Sequence, residues 1–276
     1  MENTQGDTEA PDAPVKAPAA LHAPFRSILG MRVDCTRYDE AVESITAMSG
    51  EARPSYVCVA TVHMVMEAWD DAGYREVVNG AQLVTSDGVP LVWALRLLGL
   101  PDAERVYGPT LTPLLCERAA REGIPVGFYG GSPEVLGVVC ERLQARYPGL
   151  DIAFRYSPPF RALSPGEEAE LTGSIEDSGA RILFVGLGCP KQERWMAAQG
   201  GSLSCTMVGV GAAFDFIAGA KAQAPAWLQR RGLEWLFRLA CEPRRLWRRY
   251  LYNNPRFLYA FARQLWRERA GWHSHA

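Results

Sequence analysis

Four short segments place glycines and polar side chains directly after apolar runs, an arrangement suited to chemistry on a phosphate-bearing ligand. The segments are TSDG (85–88), YGGSPE (129–134), GLGCPKQE (186–193) and GVGAAFD (209–215). Glycine lets a ligand approach the backbone closely, and backbone N–H groups at the start of a helix bind anions. Three of the segments therefore predict phosphate contacts. The remaining one, TSDG, adds the carboxylate of Asp87, which could accept a proton.

Known nucleotide-binding motifs do not match these turns. A dinucleotide-binding turn needs a third glycine, but Lys191 stands at that place in one segment and Phe214 in another. The sequence contains no G-x-x-x-x-G-K-[ST] motif, no D-x-D motif and only four histidines. These observations disfavour a P-loop nucleotidase, a nicotinamide dehydrogenase and a metal site. They predict that no cofactor is needed, and that a bound diphosphate is neutralised by backbone N–H groups and by cations such as Arg105 or Lys191.

Strands alternating with helices are expected to position these segments. Apolar runs predict strands at 55–60, 81–86, 125–130, 181–186 and 205–211. Helical spacing occurs at 62–79, 109–122, 132–146 and 165–178. Ser164 should cap the last of these helices, and Pro190 should open another at its first position. The predicted fold class is α/β, a Rossmann-like parallel sheet with helices on both faces. Ligands bind such sheets at the carboxyl ends of the strands, where all four segments fall.

Composition divides the 276 residues into three regions. Residues 1–25 are rich in Ala and Pro and lack the basic and apolar parts of a signal peptide, which predicts a disordered tail. Residues 26–225 form the expected α/β domain. Residues 226–276 contain 11 arginines, three acidic residues and five of the eight tryptophans, although the whole chain has a net charge of −2. Seven cysteines show no paired spacing, which favours reduced thiols in the cytoplasm.

The last region is predicted to be a basic amphipathic helical appendage. On a helical wheel one side carries Leu246, Trp247, Tyr250 and Leu251, and the other carries Arg244, Arg245, Arg248 and Arg249. A break is expected at residues 253–255, followed by a second segment of similar composition. Such a pattern fits a helix in the interface of an anionic membrane. The alternative is a helix packed on the core through its aromatic face. Nucleic-acid binding is not predicted, because no recognised motif accompanies the arginines.

Seven motifs occur in an order that resembles one known family. They are TSDGVPLVWALRLLG, ERVYGPTL, VGFYGGSPEVLGVVCERLQARYPGL, ILFVGLGCPKQERWM, VGVGAAFDFIAG, AQAPAWLQRRGLEWLFRL and EPRRLWRRY. This order is similar to that of the WecG/TagA/CpsF family, glycosyltransferase family 26, over roughly residues 30–255. The resemblance implies an inverting, metal-independent glycosyltransferase. Its donor would be a UDP-sugar and its acceptor a saccharide linked to polyprenyl diphosphate. The protein would lie at the inner face of the cytoplasmic membrane and contribute to exopolysaccharide, lipopolysaccharide or teichoic acid-type synthesis.

The resemblance also assigns roles to individual residues. Asp87 resembles the proposed general base, whereas Arg105 and Gln192 resemble polar residues near the substrate. The candidate substrate-binding residues are Thr61, His63, Arg105, Gly130, Gly131, Gly188, Lys191, Gln192, Gly209 and Gly211. Arg244, Arg245, Arg248 and Arg249 are the candidates for contact with the membrane or with the acceptor diphosphate.

Two segments depart from the family pattern beside the expected sugar pocket. Thr61 and His63 stand where many members have Asn and Glu, and Pro109 interrupts a Gly-Thr-Asp sequence. These departures leave the transferred sugar undetermined.

Each assignment has a purely structural alternative. Asp87 could cap the following helix, Gln192 could satisfy backbone N–H groups, and Arg105 could pair with Glu104 or Asp102 on the surface. The alternative function is a non-catalytic module at the membrane surface that binds a sugar nucleotide within a polysaccharide assembly complex. The oligomeric state stays open, and a homo-oligomer is compatible with the sequence.

Overall fold

A small antiparallel hairpin opens the described part of the chain. The computed structural model describes residues 23–51 and 53–272, without the side chains of 226, 230, 271 and 272. The tail predicted for residues 1–25 therefore lies almost entirely outside the described residues. Strand β1 (Phe25–Ile28) pairs with β2 (Met31–Asp34). Leu29 and Gly30 make the turn with φ of 52° and 87°, and glycine adopts such a positive φ at little cost.

The predicted parallel sheet is confirmed. Within the described residues its strands are β3 (Ser55–Ala60), β4 (Leu83–Ser86), β5 (Val126–Gly130), β6 (Ile152–Tyr156), β7 (Ile182–Gly186) and β8 (Thr206–Gly209). Their spatial order is β4-β3-β8-β7-β5-β6. Strand β6 was not predicted from the sequence, because this edge strand is half-exposed and has no continuous apolar run. The four-residue strands of the hairpin were not predicted either.

Helices cover both faces of this sheet, as the sequence predicts. The helices are α1 (Tyr38–Gly50), α2 (Val62–Asp70), α3 (Ala72–Asn79), α4 (Val89–Leu97), α5 (Gly108–Glu122), α6 (Pro133–Arg146), α7 (Pro165–Ser178), α8 (Lys191–Ala198), α9 (Ala213–Ile217), α10 (Ala226–Arg230), α11 (Glu234–Cys241), α12 (Pro243–Trp247) and α13 (Asn253–Trp272). Buried side chains of α1, α5, α6 and α9 form the core on one face. Those of the hairpin, α2, α3, α4, α7, α8 and α13 form the core on the other face.

Caps decide where several helices begin. Ser164 caps α7 by accepting a hydrogen bond from the backbone N–H of Glu167, which confirms that prediction. The helix expected over 62–79 is instead two helices, because Asp71 ends α2 and its carboxylate caps α3 at the N–H of Tyr74. Pro190 precedes α8 rather than opening it, since the helix begins at Lys191.

The C-terminal segment continues as helix through the break that the sequence predicts. A π-helical turn over Arg248–Tyr252 joins α12 to α13. Pro255 lies shortly after this π-helical turn, and the helical conformation continues past it to Trp272. No helix in the described part of the chain is both long enough and apolar enough to cross a membrane.

Candidate active site

A cleft lies at the carboxyl ends of β3, β4 and β8, beneath the C-terminal segment. It consists of two adjoining cavities, and both are lined by Thr61, Asp87, Tyr107, Arg238 and Arg249. The turn cavity, of about 200 Å³, is further lined by Gly188, Gly209 and Gly211. The tail cavity is further lined by Gly232, Glu234 and Trp235 from the C-terminal segment. The cleft is therefore built from the strand ends and from the chain beyond residue 225.

Asp87 and Arg105 form an ion pair on the wall of this cleft. Arg105 Nη2 lies 3.1 Å from Asp87 Oδ1 and 2.8 Å from Glu234 Oε2, so one nitrogen bridges two carboxylates. The Arg105 guanidinium also lies over the ring of Tyr107, 4.1 Å from its centroid. Gly88, not Asp87, occupies the N-cap position of α4. Arg105 pairs with Asp87 and Glu234, so neither structural alternative for these two residues matches the geometry.

The surroundings of Asp87 change its affinity for a proton. Burial raises the pKa of Asp87, and the nearby charge of Glu234 raises it further, while Arg105 acts in the opposite direction; the net shift is upward. Burial lowers the pKa of Arg105, but the two carboxylates outweigh this effect and raise it. Arg105 thus stays charged, and Asp87 holds a proton more tightly than an exposed aspartate does. A general base near a reacting hydroxyl needs this property.

Thr61 and His63 meet the C-terminal segment at the start of α2. Thr61 caps α2 and lies 3.5 Å from Arg249 Nη2. His63 Nδ1 lies 3.2 Å from Asn253 Nδ2. Burial and the charge of Arg249 lower the pKa of His63 to about 4, so the imidazole is neutral at pH 7. Arg249 Nε is buried and has no hydrogen-bond partner among the described residues, which leaves a donor for an anion.

Gln192 ties two of the glycine turns together. Its Oε1 accepts hydrogen bonds from the backbone N–H groups of Gly188 and Gly211, each at 3.1 Å. Its Nε2 donates to Glu193 Oε1 at 2.7 Å, and Tyr74 donates its hydroxyl hydrogen to Glu193 Oε2 at 3.0 Å. Burial raises the pKa of Glu193. These two backbone N–H groups therefore already have a hydrogen-bond acceptor within the protein.

The structure brings only some of the candidate glycines to the cleft. Gly188, Gly209 and Gly211 line the turn cavity, but Gly130 and Gly131 are absent from the described lining of both cavities. A Cβ on Gly130 would lie 2.6 Å from the backbone of Gly186, so close packing of β5 against β7 explains this glycine. The exposed side chain of Lys191 also lies outside the described lining.

The four tail arginines separate into pairs with different surroundings. Arg249 is half-buried and lines both cavities, and Arg245 is exposed but lines the turn cavity. Arg244 and Arg248 are exposed and are absent from the described lining of both cavities. Arg245 also pairs with Glu242 at 2.5 Å. The helical wheel assigned all four to one face, because it treats the segment as an isolated straight helix and cannot show which turns face the cleft.

Several residues that line the cleft were not among the predicted site residues. They are Tyr107, Glu234, Trp235, Arg238, Tyr250 and Asn254. The motif GLEWLFRL contains Glu234, Trp235 and Arg238. This motif contributed to the family resemblance, but its residues were not assigned a role in the site. Within the described residues, no group of three or more His, Cys, Asp or Glu side chains is arranged to hold a metal ion.

Comparison with known proteins shows to which family the chain belongs. The sequence model described as the glycosyl transferase WecG/TagA/CpsF family matches residues 26–271. The chain belongs to this family. It is therefore a glycosyltransferase, and the resemblance seen in the motifs is confirmed. The non-catalytic alternative is not supported.

A curated relative from Bacillus spizizenii (strain ATCC 23059 / NRRL B-14472 / W23) is similar over most of its length. It is described as N-acetylglucosaminyldiphosphoundecaprenol N-acetyl-beta-D-mannosaminyltransferase. The two chains are 29% identical over 216 residues, which cover 78% of this glycosyltransferase and 81% of the relative.

Proposed function

We propose that this glycosyltransferase moves a sugar from a UDP-sugar to a saccharide linked to polyprenyl diphosphate, with inversion at the anomeric carbon and without a metal ion. The product would enter the synthesis of a bacterial cell-surface polysaccharide. The observation that carries the proposal is the pair Asp87–Arg105 in a cleft of a chain that belongs to this family. The name of the Bacillus relative supports a lipid-diphosphate N-acetylglucosamine as the acceptor.

Asp87 would act as the general base in a single displacement. The acceptor hydroxyl loses its proton to the Asp87 carboxylate while its oxygen forms a bond to the anomeric carbon of the donor. The bond between that carbon and the UDP oxygen breaks on the opposite face, and the electron pair leaves with UDP. Arg105 donates a hydrogen bond to this carboxylate, and Glu234 in turn holds Arg105. The raised pKa of Asp87 favours proton transfer from a hydroxyl.

Arginines around the turn cavity would stabilise the departing UDP. Arg238, Arg245 and Arg249 line this cavity, and all three come from the C-terminal segment. Arginine binds diphosphate oxygens through several donors and keeps its charge at all physiological pH values. Charge stabilisation of this kind can take the place of a divalent cation on a leaving diphosphate.

The residues that depart from the family pattern are proposed to select the sugar. Thr61 lines both cavities, His63 lines the tail cavity and Pro109 lines the turn cavity. The neutral imidazole of His63 can donate or accept a hydrogen bond but cannot act as a carboxylate. We therefore expect the donor preference to differ from that of members with Asn and Glu at these positions.

The acceptor would remain in the bilayer while the protein binds the inner face of the cytoplasmic membrane. Arg244 and Arg248 are exposed, and Trp247 next to them is 52% exposed. Arginine and tryptophan in this combination favour an anionic membrane interface.

Transfer assays with a donor panel test the proposed function. The purified full chain is incubated with several UDP-hexoses and UDP-N-acetylhexosamines and a short-chain polyprenyl-diphosphate N-acetylglucosamine. We expect UDP release that depends on both substrates, an inverted product by NMR coupling constants, and no loss of rate with EDTA. Absence of transfer with every donor, or a requirement for Mg²⁺ or Mn²⁺, would contradict the corresponding part of the proposal.

A further inference from the structure

A second concave surface lies on the same side of the sheet as α13 and outside the cleft. This groove, of about 690 Å³, is bounded by the β1–β2 turn, α2, α3 and α13. Its lining includes Met66 and Trp69 from α2, whereas Thr61 and His63 at the start of α2 line the cleft. The cleft and the groove therefore share one pair of helices, α2 and α13.

Hydrogen bonds hold the walls of the groove together. Gln264 of α13 accepts from the backbone N–H of Leu29 at 2.9 Å and donates to the carbonyl of Ser27 at 2.7 Å, which ties α13 to the hairpin. Arg256 donates two hydrogen bonds to Asp70, at 2.9 and 2.6 Å, which ties α13 to α2. The groove is thus a preformed feature of the fold.

The groove carries an excess of positive charge. Four arginines and one carboxylate line it: Arg75, Arg256, Arg263, Arg267 and Glu268, of which Glu268 accepts a hydrogen bond from Gln264. Asp70 pairs with Arg256, but among the described residues no carboxylate lies within ion-pairing distance of Arg75, Arg263 or Arg267. An anion with several acceptor oxygens, such as a phosphate, satisfies such guanidinium groups best.

Apolar side chains border these arginines on the open side. Trp69 and Tyr259 line the groove and are 47% and 66% exposed. Leu258 and Trp266, on the outer side of α13, are 64% and 72% exposed. Exposed aromatic and aliphatic side chains next to arginines suit a ligand whose phosphate adjoins hydrocarbon. A membrane phospholipid has this chemistry.

We propose that this groove is a discrete binding site for the headgroup of an anionic phospholipid. The phosphate binds Arg75, Arg263 and Arg267, and the first part of the acyl chains packs against Trp69 and Tyr259. This inference rests on the proposed membrane location and adds a site of defined stoichiometry to it. Because α2 and α13 also border the cleft, a lipid bound here holds the cleft at the level of the headgroups, where an acceptor diphosphate lies.

Titration with a short-chain lipid distinguishes a single lipid-binding site from nonspecific electrostatic attraction to a charged surface. Dihexanoylphosphatidylglycerol below its critical micelle concentration is titrated into the full chain by calorimetry. We expect one lipid per chain and roughly 30-fold weaker binding after Arg263→Gln with Arg267→Gln, from the contribution of each arginine near an anionic lipid. The matched control, Arg244→Gln with Arg248→Gln, removes the same charge from exposed positions outside the groove and should bind short-chain lipid like the wild type.

Three results would overturn the inference. Equal weakening in both double variants would indicate diffuse charge alone. Binding of glycerol phosphate as tight as that of the lipid would indicate a soluble phosphate ligand. A dimer that only the groove variant dissociates would indicate a second copy of the chain. Transfer to a soluble acceptor is measured in parallel and should be unchanged in the groove variant. If the proposed function itself is wrong, the wild type will also be inactive in this assay, so the two failures can be distinguished.

Discussion

At the scale of single residues, the site depends on how buried carboxylates are paired. Asp87 faces Arg105, which also binds Glu234 from a part of the chain 129 residues away. Glu193, in contrast, lies beneath the glycine turns and is held by Gln192 and Tyr74. Burial raises the pKa of both Asp87 and Glu193. We infer that only Asp87, which lines the cleft, serves as a base, and that Glu193 orients the amide of Gln192.

Replacing the proposed base tests this distinction. Asp87→Asn should keep binding of UDP, because the shape is conserved, and should lose about 10²–10⁴-fold in transfer rate, because the amide cannot accept the proton. In the wild type, kcat/KM should fall as the pH drops through the raised pKa of Asp87, above the range of an exposed aspartate. Asp177→Asn, an exposed position, is the control. A variant of Asp87 with wild-type turnover would rule out this base.

The bridge between the glycine turns makes a separate prediction. Gln192→Ala removes the acceptor of two backbone N–H groups and a donor to buried Glu193. We expect the free energy of unfolding to fall by about 1–3 kcal/mol and the KM for the donor to rise. Lys191→Ala changes the neighbouring exposed residue and should alter neither quantity. An unchanged melting curve together with an unchanged KM in Gln192→Ala would show that the bridge is dispensable.

At the scale of elements, the C-terminal helices do two things at once. The residues from α11 to the start of α13 form one wall of the cleft, with Glu234, Arg238 and Arg249 directed into it. The same segment exposes Trp247 and Leu251, at 52% and 56%. We infer that one side of this segment completes the active site and that another side contacts the membrane. The helical wheel had placed the arginines of both sides on one face.

Two double variants that remove the same charge test the two sides of this segment separately. Arg245→Gln with Arg249→Gln should strongly reduce transfer to a short soluble acceptor, because the diphosphate loses cations in the turn cavity. Arg244→Gln with Arg248→Gln should leave that activity unchanged and weaken binding to anionic vesicles, with a dependence on salt. The measurements are UDP release and vesicle co-sedimentation. If both pairs affect both assays equally, the division of the segment is wrong.

At the scale of the whole molecule, α13 is part of the core. Phe257 and Phe261 are 2% and 6% exposed and belong to the core on the face of α2 and the hairpin. The C-terminal region thus packs on the core through this side of α13, while the outer side of α13 stays exposed. The aromatic face on which the packed-helix alternative was based differs, because Leu246 is buried but Trp247 and Leu251 are 52% and 56% exposed. The domain boundary at 225/226 stays a prediction, but the region beyond it is not detached from the sheet.

Paired substitutions on α13 measure this contribution. Phe261→Ala should lower the free energy of unfolding by about 3–5 kcal/mol, because it leaves a cavity in the core. Leu258→Ala, on the exposed side of the same helix, should change it by less than about 0.5 kcal/mol. Thermal or urea unfolding of the two variants provides the comparison. Similar stability for both would show that α13 contributes little to the core.

Local patterns in the sequence determined the sheet, most helices and the position of Asp87. The continuous apolar run before Gly186 and the capping residues around α7 act over a few residues, so their consequences can be predicted without a tertiary structure. The motif order likewise identified the family. The half-exposed edge strand β6 lacks such a local signal and was missed.

Only the tertiary structure decided which of these residues share a site. Arg105 and Glu234 meet across 129 positions, and Arg249 reaches Thr61 across 188. Gly130 is not part of the candidate site. Its positive φ and its close packing against Gly186 require glycine at this position, without any contact to a ligand. The two long-range pairs depend on how α11 to α13 fold back over the strand ends. This docking is fixed by the packing of Phe257 and Phe261 and by the hydrogen bonds of Gln264 and Arg256. These are long-range contacts, and no local periodicity of the sequence predicts them.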